Sequence, residues 1–410
     1  MKVNSILAIA AVVIIVVAGI GVFMLTKDDK DKTEGDVTDA LGRQVKIPSN
    51  LDNGIVTIGN AGPLRYASMF DIADKVIEVD KGDITDNRNG RAYSYAYPYY
   101  KMSVDTQSHP DGALEAATVE SIAKKEPSLV ITNESKWNQA AANFEILEKS
   151  CTIVVLKDQQ MKFMTGDDGK LAEYNTFNIN LLGKLFKMED RAKEVIDGIN
   201  EIIADIASLK GTSTNKIYVA GVTISGSNQL TTTFPNYIPF DLTGATNAYT
   251  GDKGPNKVDL TVETFSIMAM DMIIIDPSSS DKIAETNSQG ALEYLYGLGA
   301  SAPKMYITVP IVWDSINYDC ALASAYVVDY LNYGTLTETQ LKQKINNIFT
   351  VFYGTHGANV LSDMSTFFEG KSDANGQEMP LFKEVTVAYS GGVYKFVAVK
   401  TQTTSLISLQ

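Results

Sequence analysis

The sequence predicts an α/β fold with largely parallel strands, divided into two halves on either side of one long helix. Three observations support this prediction. Apolar runs of strand length recur along the chain with helical patterns between them, an amphipathic stretch separates the fourth run from the fifth, and one helix-to-strand unit occurs on each side of that stretch.

The apolar runs are mostly continuous rather than alternating, which is typical of strands buried on both faces of a parallel sheet. Two further stretches, residues 37–48 and 384–399, have the pattern of hairpins, with turns at Leu41-Gly42 and Gly391-Gly392. The predicted strands are GIVTIG (54–59), KVIEVD (75–80), SLVITN (128–133), CTIVVL (151–156), KIYVAG (216–221), MIIIDP (272–277) and MYITVP (305–310).

The stretch from Asp190 to Lys210 repeats apolar residues with a helical period, so it predicts a long amphipathic helix. We interpret it as a stiff rod that joins two lobes, the other interpretation being a crossover helix inside one large domain. The repeat of Thr-Val-Glu at 118–120 and 261–263, each with an apolar strand at the same distance, favours two lobes of one plan. The predicted lobes are residues 37–188 and 211–410, and the linking helix is 189–210.

Composition excludes several classes of function. The chain has 45% hydrophobic residues, enough for more than one core, and its net charge of −14 with scattered basic residues argues against a nucleic-acid partner. Its only cysteines, Cys151 and Cys320, lie in apolar runs, and with only His109 and His356 besides, no Cys/His cluster has the spacing of metal ligands. We therefore predict no metal site and no cofactor of the protein's own.

Residues 5–25 form an uncharged apolar run that is long enough to cross a bilayer. Because the run passes directly into KDDKDK without a small-residue cleavage site, we favour an uncleaved anchor, residues 1–26, over a removed signal. No cysteine near its end could carry a lipid. Residues 27–36 are polar and predict a flexible tether.

Several segments, taken in order, resemble the periplasmic-type binding proteins of iron-siderophore, haem and cobalamin ABC importers over about residues 37 to 370. Ser128 and Met270 depart from the Asp and Pro that are usual in that family. The segments are VTDALGRQVKIPSNLDNGIVTIG, ATVESIAKKEPSLVI, LLGKLFKMEDRAKEVIDGINEIIADI, VDLTVETFSIMAMDMIIIDP and IFTVFYG.

The resemblance implies two Rossmann-like lobes joined by a single helix, with a ligand held between them and small closing motions. It also implies a monomer whose globular part lies on the extracytoplasmic face and delivers its ligand to the permease dimer of an ABC importer. Glu120 and Glu263 match the family's two glutamates that dock on permease arginines. The alternative interpretation is that the two glutamates only place a favourable negative charge at a helix start.

The most unusual stretch is RAYSYAYPYY, residues 91–100, in which tyrosines alternate with small residues. In an extended segment these rings face one way, so they could line a cleft beside Arg91 or simply cover the sheet. The residues of this stretch that we predict to contact ligand are Arg91, Tyr93, Tyr95 and Tyr97.

Ligands of open α/β sheets bind at the carboxyl ends of the strands, so loops after predicted strands supply the other candidates. After the first strand these are Asn60, Arg65 and Tyr66, of which Arg65 suits an anionic ligand but could equally be a surface arginine. For Trp313 a core position is the competing interpretation. The second lobe supplies Ser225, Ser227, Asn228, Phe234, Tyr237, Trp313 and Tyr318.

These residues favour a binding protein for a metal chelate, first an iron-siderophore and otherwise haem or a corrinoid, in which the ligand carries its own metal. A molybdate or tungstate oxyanion is the alternative within the same fold. A metallochelatase-like enzyme or a sensor ectodomain is the alternative of another class. The chain lacks G-x-S-x-G, H-E-x-x-H and P-loop motifs, so we predict that it is not an enzyme.

Overall fold

The computed structural model describes residues 36–59, 62–80, 83, 91–97, 114–158, 161, 164–313, 317–369 and 378–399. The predicted membrane anchor, Asn60 and His109 lie outside these ranges. No helix within them combines the length and apolar character that a membrane crossing requires. Below, the N-terminal half means the described residues up to 188, and the C-terminal half means those from 210 onward.

The apolar runs of the N-terminal half form a four-stranded, all-parallel sheet with the order β4-β3-β5-β6. A hairpin of β1 and β2 lies beside it, because the backbone amide of Ala40 donates to the carbonyl of Val155 over 2.9 Å. The strands are β1 Asp36–Thr38, β2 Gln44–Lys46, β3 Ile55–Thr57, β4 Val76–Glu78, β5 Leu129–Asn133 and β6 Thr152–Leu156.

The C-terminal half contains a six-stranded sheet with the order β14-β13-β12-β11-β7-β9, in which β12, β11, β7 and β9 are parallel. The hairpin predicted at the end of the chain joins it as the antiparallel strands β13 and β14. The strands are β7 Lys216–Ala220, β8 Thr232–Thr233, β9 Thr246–Asn247, β10 Val258–Asp259, β11 Met272–Ile275, β12 Lys304–Ile307, β13 Glu384–Ser390 and β14 Val393–Ala398.

The helices fill the connections between strands, as the α/β prediction requires. Those of the N-terminal half are α1 Gly62–Ala67, α2 Tyr93–Ala96, α3 Ala116–Lys125, α4 Glu134–Gln139, α5 Ala141–Leu147 and α6 Glu173–Phe186. Next comes α7, Glu189–Leu209, and those of the C-terminal half are α8 Ile238–Thr243, α9 Val262–Ile267, α10 Gln289–Leu298, α11 Tyr318–Tyr333, α12 Glu338–Tyr353 and α13 Val360–Glu369.

The two sheets share one plan. In each, the first parallel strand lies between the second and the third, the fourth lies next to the third, and a hairpin lies beside that fourth strand. Both β5 and β11 begin nine residues after the glutamate of the repeated Thr-Val-Glu. The helix starts differ, however: Thr261 is the N-cap of α9, whereas α3 begins two residues before Thr118. The repeated unit is thus confirmed, with one helix start placed wrongly.

The long amphipathic helix is confirmed as α7, which contacts α6 on the N-terminal side and α8, α11 and α12 on the C-terminal side. Its first turn bonds to both halves, because the guanidinium of Arg191 donates to the carbonyls of Met69 over 3.0 Å and Val351 over 2.7 Å. Gly198 allows close packing on α12, since a Cβ there would lie 2.8 Å from the Val351 side chain.

Contact between the halves is not confined to α7. The 3₁₀ segment Gly354–Asn359 and helix α13 follow α12 in the C-terminal half, yet both contact α2 of the N-terminal half. A single apolar core accordingly contains residues of both halves, and a smaller cluster covers the other face of the N-terminal sheet.

Candidate ligand-binding site

A buried cation, the side chain of Arg65, lies at the boundary between the halves near the carboxyl end of β3. Arg65 lies on α1 immediately after this strand and is fully buried, so the surface interpretation of this arginine is wrong. Its guanidinium carbon lies 4.6 Å from the ring centroid of Tyr66 and 5.0 Å from that of Tyr318, the first residue of α11. The cation is therefore flanked by one aromatic ring from each half.

Electrostatic neighbours keep Arg65 charged in this buried position. Burial alone lowers the pKa of the guanidinium, but interactions with Tyr66, Tyr318, Asp319 and Tyr353 outweigh it and raise the pKa above its ordinary value. Asp319 also accepts a hydrogen bond from the Tyr353 hydroxyl, while burial raises the pKa of Asp319 itself. The site thus contains a permanent cation beside a buried carboxyl group whose pKa is raised.

The tyrosines around Arg65 are neutral hydrogen-bonding groups. Burial raises the pKa of Tyr66 to about 12, and its hydroxyl donates to Oδ1 of Asn175 over 2.6 Å. Burial also raises the pKa of Tyr318 well above its ordinary value, and its hydroxyl lies 3.5 Å from that of Tyr174 on α6. At neutral pH these phenols offer flat apolar faces and uncharged O–H donors.

The tyrosine stretch is not extended, so that prediction is wrong. Residues 93–96 form the short helix α2, where the Ser94 hydroxyl donates to the carbonyl of Arg91 over 2.7 Å. The helical turn points the rings in different directions, although all three are buried. The Tyr93 hydroxyl donates to Asp83 over 2.7 Å, while Tyr95 and Tyr97 turn toward the C-terminal half.

Arg91 is also buried, and it lies 4.0 Å from the carboxylate of Asp83, the same acid that accepts from Tyr93. Burial of the Tyr93 phenol raises its pKa well above the ordinary value. Arg91, Tyr93 and Asp83 therefore form one internal cluster on the N-terminal side of the boundary.

The polar groups of the loop after β7 form hydrogen bonds largely with other groups of the same loop. The Asn228 amide donates to the carbonyl of Val222 over 2.7 Å and its oxygen accepts from Lys257 over 2.7 Å, so this buried side chain fixes the loop. Ser225 is exposed at a positive φ of 50°, and Ser227 is half-buried. Among the predicted contact residues of this loop, these two serines are the ones that a ligand can reach.

The aromatic candidates of the C-terminal half pack into its core. The rings of Phe234 and Trp313 lie 6.1 Å apart, and those of Tyr237 and Phe240 lie 4.9 Å apart. All four side chains are buried, and for Trp313 this agrees with the competing core interpretation. The structure brings Arg65, Tyr66 and Tyr318 together but leaves this aromatic group apart from them.

Sequence reasoning missed Tyr174, Asn175, Asp319 and Tyr353. Asp319 directly follows the candidate Tyr318 at a helix start, where a carboxylate is favoured, and this was the available signal. The other three lie within helices, where nothing in the local pattern distinguishes a boundary residue from a core residue. Asp276 was also missed: it accepts from the amides of Ser278 and Ile311, each over 2.8 Å, and so holds the ends of two strands together.

The two predicted docking glutamates are both exposed. Glu120 lies on α3, where the Lys124 ammonium approaches it to 2.8 Å, and the hydrogen bond from this lysine lowers the pKa of the glutamate. Glu263 lies in the first turn of α9, where hydrogen bonds from its own backbone amide and from Thr261 lower its pKa. Both glutamates are ionised, and they belong to helices of different halves.

A small cavity lies at the carboxyl ends of β3, β5 and β6, where Tyr66, Asn133 and Lys157 contribute to its wall. Its volume is about 10 Å³, which is room for about one water molecule. Next to it the boundary residues Arg65, Tyr66 and Tyr318 are packed against one another. A ligand of chelate size requires these side chains to separate.

Solved structures of similar shape are solute-binding proteins. A periplasmic solute-binding protein of Veillonella parvula is 16% identical, covering 79% of this chain and 95% of its own, with a TM-score of 0.59. The molybdate-bound periplasmic protein MolA of Haemophilus influenzae is 15% identical over 78% of this chain and 98% of its own, with a TM-score of 0.52. An ABC transporter solute-binding protein of Sulfurospirillum deleyianum is 14% identical over 82% and 99%, with a TM-score of 0.50.

At these identities the likeness shows the fold alone, and among curated proteins no sequence matches the chain. The sequence profile of the family described as periplasmic binding protein, by contrast, matches residues 79–292, more than half of the chain. That family is extracytoplasmic, and its members bind solutes and are not enzymes. The chain therefore belongs to the periplasmic binding protein family.

Proposed function

We propose that the chain is the solute-binding component of an ABC importer for a metal chelate, first an iron-siderophore, with haem and a corrinoid as the other chelates of this class. The observation that carries the proposal is the position of Arg65, a buried cation flanked by Tyr66 and Tyr318 where the two halves meet. In this role the protein acts as a monomer, anchored by its N-terminal segment, and the ligand brings its own metal.

The chemistry of this boundary suits an anionic ligand with flat arms. A guanidinium binds carboxylate or catecholate oxygens through paired N–H donors, and its charge is stronger where water is excluded. The rings of Tyr66 and Tyr318 offer apolar area to the arms of the chelate, and their hydroxyls offer hydrogen bonds. A ligand of this kind replaces the ring contacts that the Arg65 cation makes in the closed arrangement.

Binding in this place requires the halves to move apart and close again. We take α7 as the linking helix, because it packs on both halves and lies between their sheets in the chain. A single continuous helix bends less easily than paired extended linkers, so the opening is a small rotation. The lobe limits 37–188 and 211–410 remain part of this proposal.

Glu120 and Glu263 are the proposed contacts to the permease dimer. They are ionised, exposed and carried by corresponding helices of the two halves, each nine residues before a central strand. Two like charges at a fixed separation orient the encounter and raise its rate more than they raise affinity.

A molybdate or tungstate oxyanion is the second candidate. It is supported by the polar wall of the cavity near Lys157 and by the likeness in fold to the molybdate-bound protein. Because the cavity has room for about one water molecule, it must widen for an oxyanion too, but by less than the boundary must open for a chelate.

A titration of the purified full-length chain in detergent distinguishes the candidates. The probes are ferric tris(2,3-dihydroxybenzoate), haem, cobinamide and molybdate, followed by tyrosine and tryptophan fluorescence. We expect at least one chelate to bind with a Kd below roughly 1 μM, about −8 kcal/mol. A response to molybdate alone would replace the chelate proposal by the oxyanion one, and no response to any probe would contradict both.

A further inference from the structure

The segment that follows α12, residues 354–369, packs on α12 and also on α2 of the N-terminal half. The turn that begins it is tight, because a Cβ on Gly357 would lie 2.0 Å from the carbonyl oxygen of Phe349. Only glycine fits this approach. Helix α13 then buries Val360, Leu361, Met364 and Phe368 in the core shared by the two halves.

Two side chains of this segment meet the buried tyrosines of α2 and its end. The His356 ring lies 4.6 Å from the ring of Tyr97, and its Nε2 lies 3.0 Å from the carboxylate of Asp71. The Phe367 ring makes an edge contact with Tyr95, with 6.0 Å between centroids. Each contact joins a residue of the C-terminal half to a residue of the N-terminal half.

The aromatic contacts hold more firmly than the contact between His356 and Asp71. Asp71 and His356 are exposed to 67% and 38% at their side chains, so water screens their attraction. Tyr95 and Tyr97 are buried, and separating their rings from Phe367 and His356 exposes apolar area. Tyr95 and Tyr97 are thus held in place from across the boundary, whereas Arg91 and Tyr93 interact with Asp83 of their own half.

We propose that residues 354–369 are a second attachment between the halves, in which His356 and Phe367 are positioning residues. They act through Tyr97 and Tyr95, holding the segment 91–97 against the C-terminal half and limiting how far the halves open. The single helix α7 already limits the opening to a small rotation, and a second attachment at residues 354–369 limits it further. Ligand exchange then requires the ring contacts on this segment to loosen.

The inference rests on the proposed function only where it concerns ligand exchange. Its structural part is tested without ligand, by hydrogen exchange of the full-length chain in detergent. We expect Phe367→Ala to speed amide exchange at least tenfold in both 91–97 and 354–369, while β5 and β11 keep wild-type protection. Phe367→Tyr, which keeps the ring, should restore both segments.

The control for general loosening is Val387→Ala on β13, a buried change away from this segment. It should leave exchange in 91–97 unchanged. The second attachment is contradicted if Phe367→Ala loosens 354–369 while 91–97 keeps its wild-type protection, or if Val387→Ala speeds both segments equally.

Ligand exchange is tested with ferric tris(2,3-dihydroxybenzoate) by stopped-flow release. His356→Ala and Phe367→Ala should each raise the release rate at least threefold. His356→Phe, which keeps a ring against Tyr97, should bring the release rate back toward the wild-type value. Unchanged release rates in both alanine variants would overturn the positioning role. If the wild-type chain binds no probe, the proposed function fails, while the exchange experiment still decides the second attachment.

Discussion

Arg65 of the N-terminal half makes a cation–π contact with Tyr318 of the C-terminal half, and its guanidinium carbon lies 5.0 Å from the ring centroid. Arg65 follows the first strand of one sheet, and Tyr318 begins the helix that follows the fourth strand of the other. Because both are buried, the contact exists only while the halves are together. Whatever binds between the halves must replace it.

Replacing Arg65 tests the role of the planar cation. Arg65→Lys keeps the charge but loses the stacked, forked donor group, so the Kd for an anionic ferric catecholate should rise roughly tenfold to a hundredfold, about 1.4 to 2.7 kcal/mol. Fluorescence titration measures the change. Arg43→Lys is the matched control, because Arg43 also stacks on a ring, 4.0 Å from the Trp137 centroid, but lies on the N-terminal hairpin. Equal losses in both variants would contradict a specific role for Arg65.

Asp329 on α11 predicts a pH-dependent stability. It is fully buried, and in the described part of the chain neither carboxylate oxygen has a hydrogen-bond partner. Burial, and then the charge of Asp205, raise its pKa to about 7. The folded protein therefore retains a proton that the unfolded chain releases above about pH 4, so the cost of folding grows between pH 4 and 7 and is complete above 7.

Asp329→Asn removes this cost. We expect the variant to match the wild type near pH 4 and to be more stable by roughly 2 to 4 kcal/mol at pH 8, measured by denaturant unfolding across pH. Asp276→Asn is the contrast, because Asp276 is buried too but accepts two backbone hydrogen bonds. Because burial raises the pKa of Asp276 as well, the comparison is made near pH 4, where the loss of one of these hydrogen bonds should make Asp276→Asn less stable than the wild type. A gain in stability for Asp329→Asn that does not depend on pH would contradict the argument.

The docking glutamates are tested by charge reversal. Glu120→Lys with Glu263→Lys should abolish uptake through the importer and leave the Kd for the ligand within twofold, because both residues are exposed and neither contacts the boundary between the halves. Transport and titration are measured on the same preparation. Glu145→Lys, on the exposed face of α5, is the control and should retain uptake. A tenfold loss of ligand affinity in the double variant would show that the positions are misassigned.

Gly221 directly follows β7 and has a backbone conformation that is energetically unfavourable for residues with a Cβ. Its φ is 83°, and a Cβ would lie 2.3 Å from the carbonyl oxygen of Asp276. Gly221→Ala should destabilise the protein by roughly 2 to 4 kcal/mol in denaturant unfolding. Gly226→Ala, at φ 97° with open space around it, should cost only about 1 kcal/mol. Equal costs would mean that the backbone shifts to make room at Gly221.

Much of the fold follows from local pattern. The runs at 128–133 and 272–277 form the inner strands β5 and β11. A continuous run of Val and Ile is apolar on both faces of a strand, so both faces are buried. The helix at 190–210 was predicted because one face is apolar for its whole length. The shared order of the two sheets was signalled by a three-residue repeat, although the repeat did not fix the start of α3.

The site was harder to predict because its geometry depends on partners distant in sequence. The alternation in 93–97 predicts a strand, yet no strand within the described ranges pairs with it. Its small residues allow a helical turn that packs on Phe367 and His356. Asn228 is of a residue type that suits a ligand contact. Its amide group, however, donates a hydrogen bond to the backbone of the turn that it stabilises. The loop that contains Arg65 does reach the boundary between the halves, and the burial of Arg65 depends on α11, more than 250 residues later.

Hydrogen exchange of the full-length chain with and without a saturating chelate is the most direct test of ligand binding between the halves. We predict that ferric tris(2,3-dihydroxybenzoate), or whichever chelate binds in the titration, slows exchange together in residues 62–70, 91–97 and 317–322, which lie on both sides of the Arg65–Tyr318 contact. Slowing confined to one half, or located away from these three segments, would contradict the account.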